Sequence, residues 1–88
     1  MKKSVFESKA NQMGDFYVYY QKPNTNIITF GICTLEVNDY ISKRSRNIVA
    51  SSDEAVMWNW RYNSQLKIPY SSIKKMTPLS SVLKNNYG

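Results

Sequence analysis

The fold is decided by residues 14–37, GDFYVYYQKPNTNIITFGICTLEV. The first run, Phe16–Tyr20, is β-branched or aromatic throughout, a composition that favours a strand. Proline and two asparagines then favour a turn at 22–26, because proline presets φ and asparagine tolerates left-handed geometry. The second run, 27–37, is the most strand-like in the chain. Together the two runs predict a β-hairpin.

Alternation along the hairpin predicts which side chains share a face of the sheet. In the first run Phe16, Val18 and Tyr20 face one side, and Tyr17 and Tyr19 face the other. The second run divides in the same way, with these two sets on opposite faces: Ile28, Phe30 and Ile32; Thr29, Gly31 and Cys33. A glycine inside a strand marks a bend, a bulge or the close approach of another backbone.

The segments that flank the hairpin give weaker signals. Residues 1–13 read as a flexible arm or as a short helix around Val5 and Phe6. Residues 40–47 are expected to form a loop, and the apolar residues 48–50 a third strand.

Residues 51–62 carry two conflicting patterns. Ser51 and Glu54 have the spacing of a capping box, which would begin a helix. The residues that follow alternate with period two, which indicates a strand. We favour the strand, which has two faces: Val56, Trp58, Trp60 and Tyr62; Ala55, Met57, Asn59 and Arg61.

The C-terminal part predicts a turn, a return strand and a helix. The turn covers 63–65, and the strand runs from Leu66 to Tyr70. Pro69 makes that strand an edge strand or ends it, because proline donates no hydrogen bond to a ladder. Thr77 and Pro78 have the pattern of a helix start, and Leu79, Val82 and Leu83 would give that helix an apolar face.

These elements define the fold class that we expect. It is mainly β (α+β): a small twisted antiparallel sheet or partly open barrel of four to five strands, with a short C-terminal helix. At 88 residues the chain is short enough to form one domain.

Charge is distributed unevenly along the sequence. The net charge is +6, from 12 Lys and Arg against 6 Asp and Glu. Residues 55–88 carry five of the basic side chains and no acidic one: Arg61, Lys67, Lys74, Lys75 and Lys84. Such a one-sided positive field attracts polyanions, which include nucleic acid, anionic membrane and acidic protein surfaces.

Composition argues against several function classes. The chain has no histidine and one cysteine, so a His/Cys zinc site and a Ser-His or Cys-His nucleophile pair are excluded. A single thiol fits a reducing compartment, and no apolar run reaches the ~20 residues of a membrane helix. We therefore expect a cytosolic, non-enzymatic protein that acts by binding, with no cofactor and no membrane partner.

Basic and aromatic side chains together form the strongest candidate site. Cations neutralise phosphates, and flat rings stack on unpaired bases. We assign phosphate contact to Lys43, Arg44, Arg46, Arg61, Lys67, Lys74 and Lys75, and base stacking to Tyr62 and Tyr70. No known recognition motif for RNA is present.

Each candidate also has a purely structural interpretation. Trp58 and Trp60, on one strand face, fit a core better than a binding surface, because aromatic side chains dominate burial in small domains. Cys33 fits a small buried hydrophobe. Tyr17, Tyr19 and a third tyrosine, Tyr40, fit a protein–protein contact, including one that makes a homodimer.

The composition resembles that of small early proteins of large T-even-like tailed phages. Within that group the chain is similar to the RNA-binding inhibitors of ribonuclease toxins of the TifA type. The stretches that carry the resemblance are Gly14–Tyr20 and Ile68–Pro78. The resemblance implies nucleic-acid binding, a dimer, and a host nuclease toxin as a direct or indirect target.

Two hypotheses follow for the function. The first is a sequence-tolerant RNA-binding protein, with RNA favoured over DNA, that inhibits a host defence toxin through a ribonucleoprotein complex. The alternative is a protein-interaction module whose basic β-rich face docks on an acidic host protein and inhibits it. Six scattered carboxylates and no histidine leave little acid–base machinery for a hydrolase or nuclease.

Overall fold

A computed structural model of the protein describes residues 1–80, which form a five-stranded antiparallel open sheet flanked by helices. The strands are β1 (Asp15–Gln21), β2 (Ile28–Thr34), β3 (Glu54–Asn59), β4 (Ser64–Pro69) and β5 (Ile73–Pro78). They are hydrogen-bonded in the order β4-β3-β2-β1-β5. Three further elements precede or join them: helix α1 (Lys3–Met13), helix α2 (Asp39–Arg44) and a 3-10 turn (Tyr70–Ser72). The predicted mainly β (α+β) class is confirmed.

The predicted hairpin is the centre of the sheet. β1 and β2 pair along their whole length, with Tyr17 opposite Ile32 and Val18 opposite Gly31. Asn24 lies in the turn at φ 61°, the left-handed geometry that asparagine tolerates. β2 ends at Thr34, three residues before the predicted end.

Helix α1 covers one face of this hairpin. Phe6 and Ala10, one turn apart, are buried in the core with Phe16 and Val18, and the rings of Phe6 and Phe16 meet edge to face at 6.2 Å. The helix ends at Gly14, whose φ of 73° suits glycine. The alternative of a flexible arm for residues 1–13 is therefore wrong, because burial of these two side chains fixes the segment as a helix.

Gly31 marks the close approach of two side chains, and not of another backbone as one of the predicted alternatives had it. A Cβ at this position would lie 2.9 Å from Cys33 Sγ and 3.3 Å from Asn59 Nδ2. Cys33 itself is buried, and burial raises the pKa of its thiol to about 12. The interpretation of Cys33 as a buried hydrophobe agrees with this environment.

Helix α2 replaces the first part of the loop predicted for residues 40–47. Asn38 caps it, since its Oδ1 accepts a hydrogen bond from the Ile41 N–H at 2.9 Å. Asp39 lies in the first turn, and Lys43 and Arg44 in the last, where each charge is favourable to the helix dipole. Ile41 is buried and attaches the helix to the sheet.

The third strand predicted at 48–50 is absent from the structure. Ile48–Ala50 has no regular secondary structure, and Val49 is 88% exposed. β2 instead pairs with β3, which begins at Glu54. Three apolar residues in a row were a misleading signal, because nothing in the sheet covers them.

Both patterns at residues 51–62 have structural counterparts. The Ser51 N–H donates to Glu54 Oε1 at 3.1 Å, and the Glu54 N–H donates to the Ser51 carbonyl. The first of these bonds, from the backbone of Ser51, lowers the pKa of the Glu54 carboxyl. The pair closes a turn, and β3 rather than a helix follows, as predicted.

The two faces of β3 also agree with the predicted alternation. Ala55 and Met57 belong to the core under α1, whereas Val56 and Trp58 face the side of α2. The strand ends at Asn59, so the turn comes earlier than predicted, at residues 60–63.

The last two strands correct the C-terminal prediction. β4 is an edge strand that ends at Pro69, as the proline predicted. β5 was missed, because a register shift opposite Tyr19 and Tyr20 breaks its period of two. Pro78 is the last residue of β5 and not the first residue of a helix, but the next two residues, Leu79 and Ser80, are helical. Val82 and Leu83, which would form the body of that helix, lie outside the described residues.

Candidate nucleic-acid interface

The face of the sheet opposite α1 is partly uncovered. Helix α2 lies over its β3 side, where Ile41 and Trp58 line a common cavity. The part formed by β1 and β2 is covered by neither helix. We call the set of rings on this side the aromatic face: Tyr17, Tyr19, Phe30, Tyr40 and Trp60.

The first half of the aromatic face lies on the hairpin. The rings of Tyr17 and Tyr19 are nearly parallel, at 17°, with centroids 6.4 Å apart. Phe30, directly opposite Tyr19 on β2, lies 5.8 Å from the Tyr17 ring and 6.2 Å from the Tyr19 ring. All three side chains are half-buried, so part of each remains open to solvent.

The second half joins the end of β3 to α2. The Trp60 indole donates from Nε1 to Asp15 Oδ1 at 3.1 Å, which places it next to β1. Its ring lies 5.9 Å from Tyr40 on α2 and 6.1 Å from Trp58. Trp58 is 3% exposed. The core interpretation therefore fits Trp58, whereas the half-buried Trp60 lies on the surface.

Two arginines stack on rings of the aromatic face. Arg61 Cζ lies 4.1 Å above the Phe30 ring, and its Nη1 donates to the Phe30 carbonyl at 3.0 Å. Arg44 Cζ lies 3.6 Å above the Tyr40 ring, and its Nη1 donates to the Tyr40 carbonyl. Contact with a ring and a carbonyl orients each guanidinium while leaving it exposed.

A polar cleft continues the basic surface beyond Arg44. Its volume is about 400 Å³, and it is lined by Arg44, Arg46, Ile48, Asn63, Ser64 and Gln65. The Arg46 N–H donates to Gln65 Oε1 at 2.8 Å, which ties the segment after α2 to β4. Every lining side chain except Ile48 can donate a hydrogen bond, and none is acidic, so the cleft suits a phosphate or another anion.

The lysines predicted to bind phosphate lie on two edge strands and on α2. Lys67, on β4, pairs with Val56 of β3, and its Nζ donates to the Val49 carbonyl at 3.3 Å. Lys75, on β5, lies opposite Tyr19 and so belongs to the side of the aromatic face. Lys74 occupies the irregular part of β5, and Lys43 the last turn of α2; both are exposed.

The two tyrosines predicted to stack on bases lie far apart in the fold. Tyr62 is 63% exposed in the turn between β3 and β4, with Arg61 Cζ 5.0 Å from its ring. Tyr70 packs on Phe6 of α1, with centroids 5.6 Å apart. Burial raises the pKa of its hydroxyl, and the Glu7 carboxylate raises it further. Tyr70 therefore lies on the α1 side of the sheet, and the structure does not bring it together with Tyr62 or with the aromatic face.

Acidic partners are scarce near these cations. Across residues 1–80, the one ion pair within 4.0 Å joins Lys3 and Glu7 on α1. Asp15 is the one carboxylate on β1, β2 and β5, and it already accepts the Trp60 hydrogen bond. The charge of the basic side chains beside the aromatic face is thus available to a ligand.

Comparisons with known proteins add nothing on this surface. The chain matches no family model, no curated protein and no solved structure. No helix in the part of the chain that is described is long and apolar enough to cross a membrane. Its Cys, Asp and Glu residues also include no group of three placed to hold a metal ion.

None of the rings of the aromatic face was among the site residues predicted from the sequence. Phe30 was placed on a strand face only, and Trp60 was interpreted as core rather than as a binding surface. Tyr17, Tyr19 and Tyr40 were assigned to protein contact. Two signals were available: the alternation of β1 and β2, and the near absence of acidic residues from both strands. The contact between Arg44 and Tyr40 depends on α2, which the sequence analysis did not predict.

Proposed function

We propose that this protein is a non-enzymatic, sequence-tolerant nucleic-acid-binding protein that binds RNA in preference to DNA. In this proposal the basic side chains on the side opposite α1 contact the phosphate backbone. The residues in this role are Arg44, Arg46, Arg61, Lys67 and Lys75, with Lys43 and Lys74 beside them.

One observation carries the proposal: these cations are exposed on or beside one face of the sheet, and none is in an ion pair within the described residues. A basic surface that served solubility alone would intersperse acidic side chains. Arg44 and Arg61 are also oriented by ring and carbonyl contacts, and oriented guanidinium groups bind phosphate bidentately.

The biological role is the more specific part of the proposal. We infer that the protein acts in the host cytoplasm, as a homodimer, and inhibits a ribonuclease toxin of a host defence system through a ribonucleoprotein complex. This role follows from the resemblance to phage inhibitors of the TifA type. The exposed basic surface supports this role, because such inhibitors bind RNA.

A gel shift with purified protein tests the nucleic-acid proposal. We expect RNA to be retarded at low salt and released steeply as salt rises, because each phosphate contact releases counterions. The double variant Lys74→Glu with Lys75→Glu should weaken the shift. The control, Lys2→Glu with Lys3→Glu, makes the same change in total charge at the start of α1. Equal binding by both variants would remove Lys74 and Lys75 from the site, and binding unaffected by salt would contradict phosphate contact altogether.

The second candidate is a protein-interaction module for an acidic host protein. The half-buried tyrosines of β1 favour it, since Tyr is enriched at interfaces and a basic rim steers acidic partners. A pull-down after exhaustive nuclease digestion separates the two candidates. A partner that stays bound without nucleic acid supports this one, and a partner lost on digestion supports binding through RNA.

A further inference from the structure

The aromatic face and the arginines stacked on it define a more specific ligand. We propose that this face is a base-stacking surface that selects single-stranded over double-stranded nucleic acid. The inference rests on the proposed function, because it specifies which form of nucleic acid the basic surface binds. It assigns stacking to Tyr17 and Tyr19, two residues for which the sequence predicted only a protein–protein contact.

Two tyrosine rings on β1 are partly open to a ligand. Tyr17 and Tyr19 are half-buried on the face of β1 that neither helix covers. Their rings lie within 17° of parallel, with centroids 6.4 Å apart, so their exposed parts have a similar orientation. A base inside a duplex has both faces stacked on its neighbours and cannot reach such a surface. An unpaired base can, and stacking on aromatic side chains is how single strands are held without sequence preference.

Two arginines add charged planar groups to the aromatic face. Arg61 covers the Phe30 ring and Arg44 covers the Tyr40 ring, at 4.1 and 3.6 Å. A guanidinium plane that lies on a ring is itself a stacking surface for a base and carries the charge that attracts the adjacent phosphate. Rings and charges therefore occur together in both halves of the aromatic face.

The two halves of the aromatic face are continuous. Trp60 joins them, since its indole binds Asp15 beside Tyr17, and its ring lies next to Tyr40. Its backbone N–H also donates to the Ile32 carbonyl on β2 at 2.7 Å. A single nucleic-acid strand that crosses from Arg61 to Arg44 would thus meet an aromatic or guanidinium surface along its path.

Charge argues against a second copy of the chain as the occupant of this face. In a two-fold dimer the same patch meets itself, so Arg61 and Lys75 would approach the Arg61 and Lys75 of the other copy. The strands β1, β2 and β5 carry one carboxylate, Asp15, and a single negative charge cannot offset both cations. A single-stranded polyanion supplies the missing negative charge.

The test compares ring removal with ring retention. Fluorescence anisotropy measures the affinity for a single-stranded oligouridine and for an RNA duplex of equal length, at one salt concentration and in a salt series. The test variant is Tyr17→Thr with Tyr19→Thr, in which β-branched residues keep the strand propensity. The matched control is Tyr17→Phe with Tyr19→Phe, which keeps both rings and removes only the hydroxyls. Thermal melting checks that each variant is folded, and the single threonine variants replace the pair if it is not.

The expected result has three parts. The protein binds the single strand more tightly than the duplex. The phenylalanine pair stays within about twofold of the parent protein, and each threonine weakens single-strand binding by about 5- to 150-fold. The slope of log affinity against log salt is the same in all three proteins, because no charge is removed.

Three other results would overturn the inference. In the first, the protein binds the single strand and the duplex with equal affinity and a steep salt slope, and the threonines have no effect. That result would support the proposed function and contradict the stacking surface. Absence of binding to either RNA at low salt rejects the proposed function and the inference with it. Self-association that the threonines abolish without a change in single-strand affinity shows instead that the face joins two copies of the chain.

Discussion

Arg61 offers the most quantitative test of phosphate contact. The variant Arg61→Met removes its charge but keeps a flexible side chain to cover the Phe30 ring. If Arg44, Arg46, Arg61, Lys67 and Lys75 each neutralise one phosphate, log affinity for a single strand falls with log salt at a slope of about −3.5. Affinity would then drop about 100-fold between 50 and 200 mM salt.

Removal of the Arg61 charge should make this slope shallower by about 0.7. The loss of affinity relative to the parent protein is then about fourfold larger at 50 mM than at 400 mM salt. Any stacking on the guanidinium adds a loss that does not depend on salt, so the change of slope isolates the phosphate contact. Fluorescence anisotropy with a labelled oligouridine, between about 50 and 400 mM salt, measures both the slope and the loss of affinity.

The control is Lys9→Met, which removes one positive charge from the exposed side of α1. Its slope should equal that of the parent protein. The reasoning would be refuted if Arg61→Met left the slope unchanged, or if both variants changed it equally. The second result would mean that total charge, and not the placement of Arg61, governs binding.

Three predictions concern the scaffold beneath this surface. Phe6→Ala should lower the free energy of unfolding by about 3–5 kcal/mol in urea titrations, because Phe6 is 1% exposed and contacts Phe16; a loss below about 1 kcal/mol contradicts the packing of α1. Gly31→Ala should cost about 1–3 kcal/mol, and Cys33→Ala in the same chain should recover part of it, because Sγ is the nearest atom. Folding raises the pKa of Cys33 from 9.0 to about 12, so the thiol should resist alkylation at pH 8 until urea unfolds the protein. The free energy of unfolding should also fall as the pH rises from 9.0 to about 12, because the unfolded state loses the thiol proton first. Rapid labelling of the native protein would contradict the burial of Cys33.

The hairpin could be predicted because its signals are local. Alternation in β1 sets Phe16 and Val18 against Tyr17 and Tyr19, and the proline and asparagine of the turn separate the two strands. The same local logic placed β3 and identified β4 as an edge strand. At Asn24 and Pro69 the backbone preference of one residue decided the geometry, and the prediction held; at Pro78 the same kind of signal was read as a helix start, whereas the residue ends β5.

The errors came where tertiary contacts decide the local structure. Helix α2 has six residues and depends on the burial of Ile41 and on the Asn38 cap, so periodicity in so short a segment gives little signal. β5 follows a shifted register opposite Tyr19 and Tyr20, and the alternation that marks a strand is lost there. Val49 resembles a strand residue but has no partner to cover it.

The candidate site was predictable in its charge and only partly in its aromatic side chains. An excess of cations can be counted along the sequence, and Arg61 and Lys75 were identified in that way. Which rings remain on the surface depends on which face α1 occupies. Because Phe6 and Ala10 bury the Phe16 face, Tyr17 and Tyr19 stay open, whereas Tyr70 is drawn against Phe6.

The most direct test of the central claim is NMR mapping of the surface that contacts an oligonucleotide. Side-chain ring signals of Tyr17, Tyr19 and Phe30 and the Trp60 indole N–H are followed during titration with single-stranded oligouridine. We predict that these signals shift together and saturate with the ligand, while the signals of the exposed residues of α1 do not shift. Shifts that concentrate on α1, or ring signals that do not move while the RNA binds, would contradict the claim that the face opposite α1 is the nucleic-acid interface.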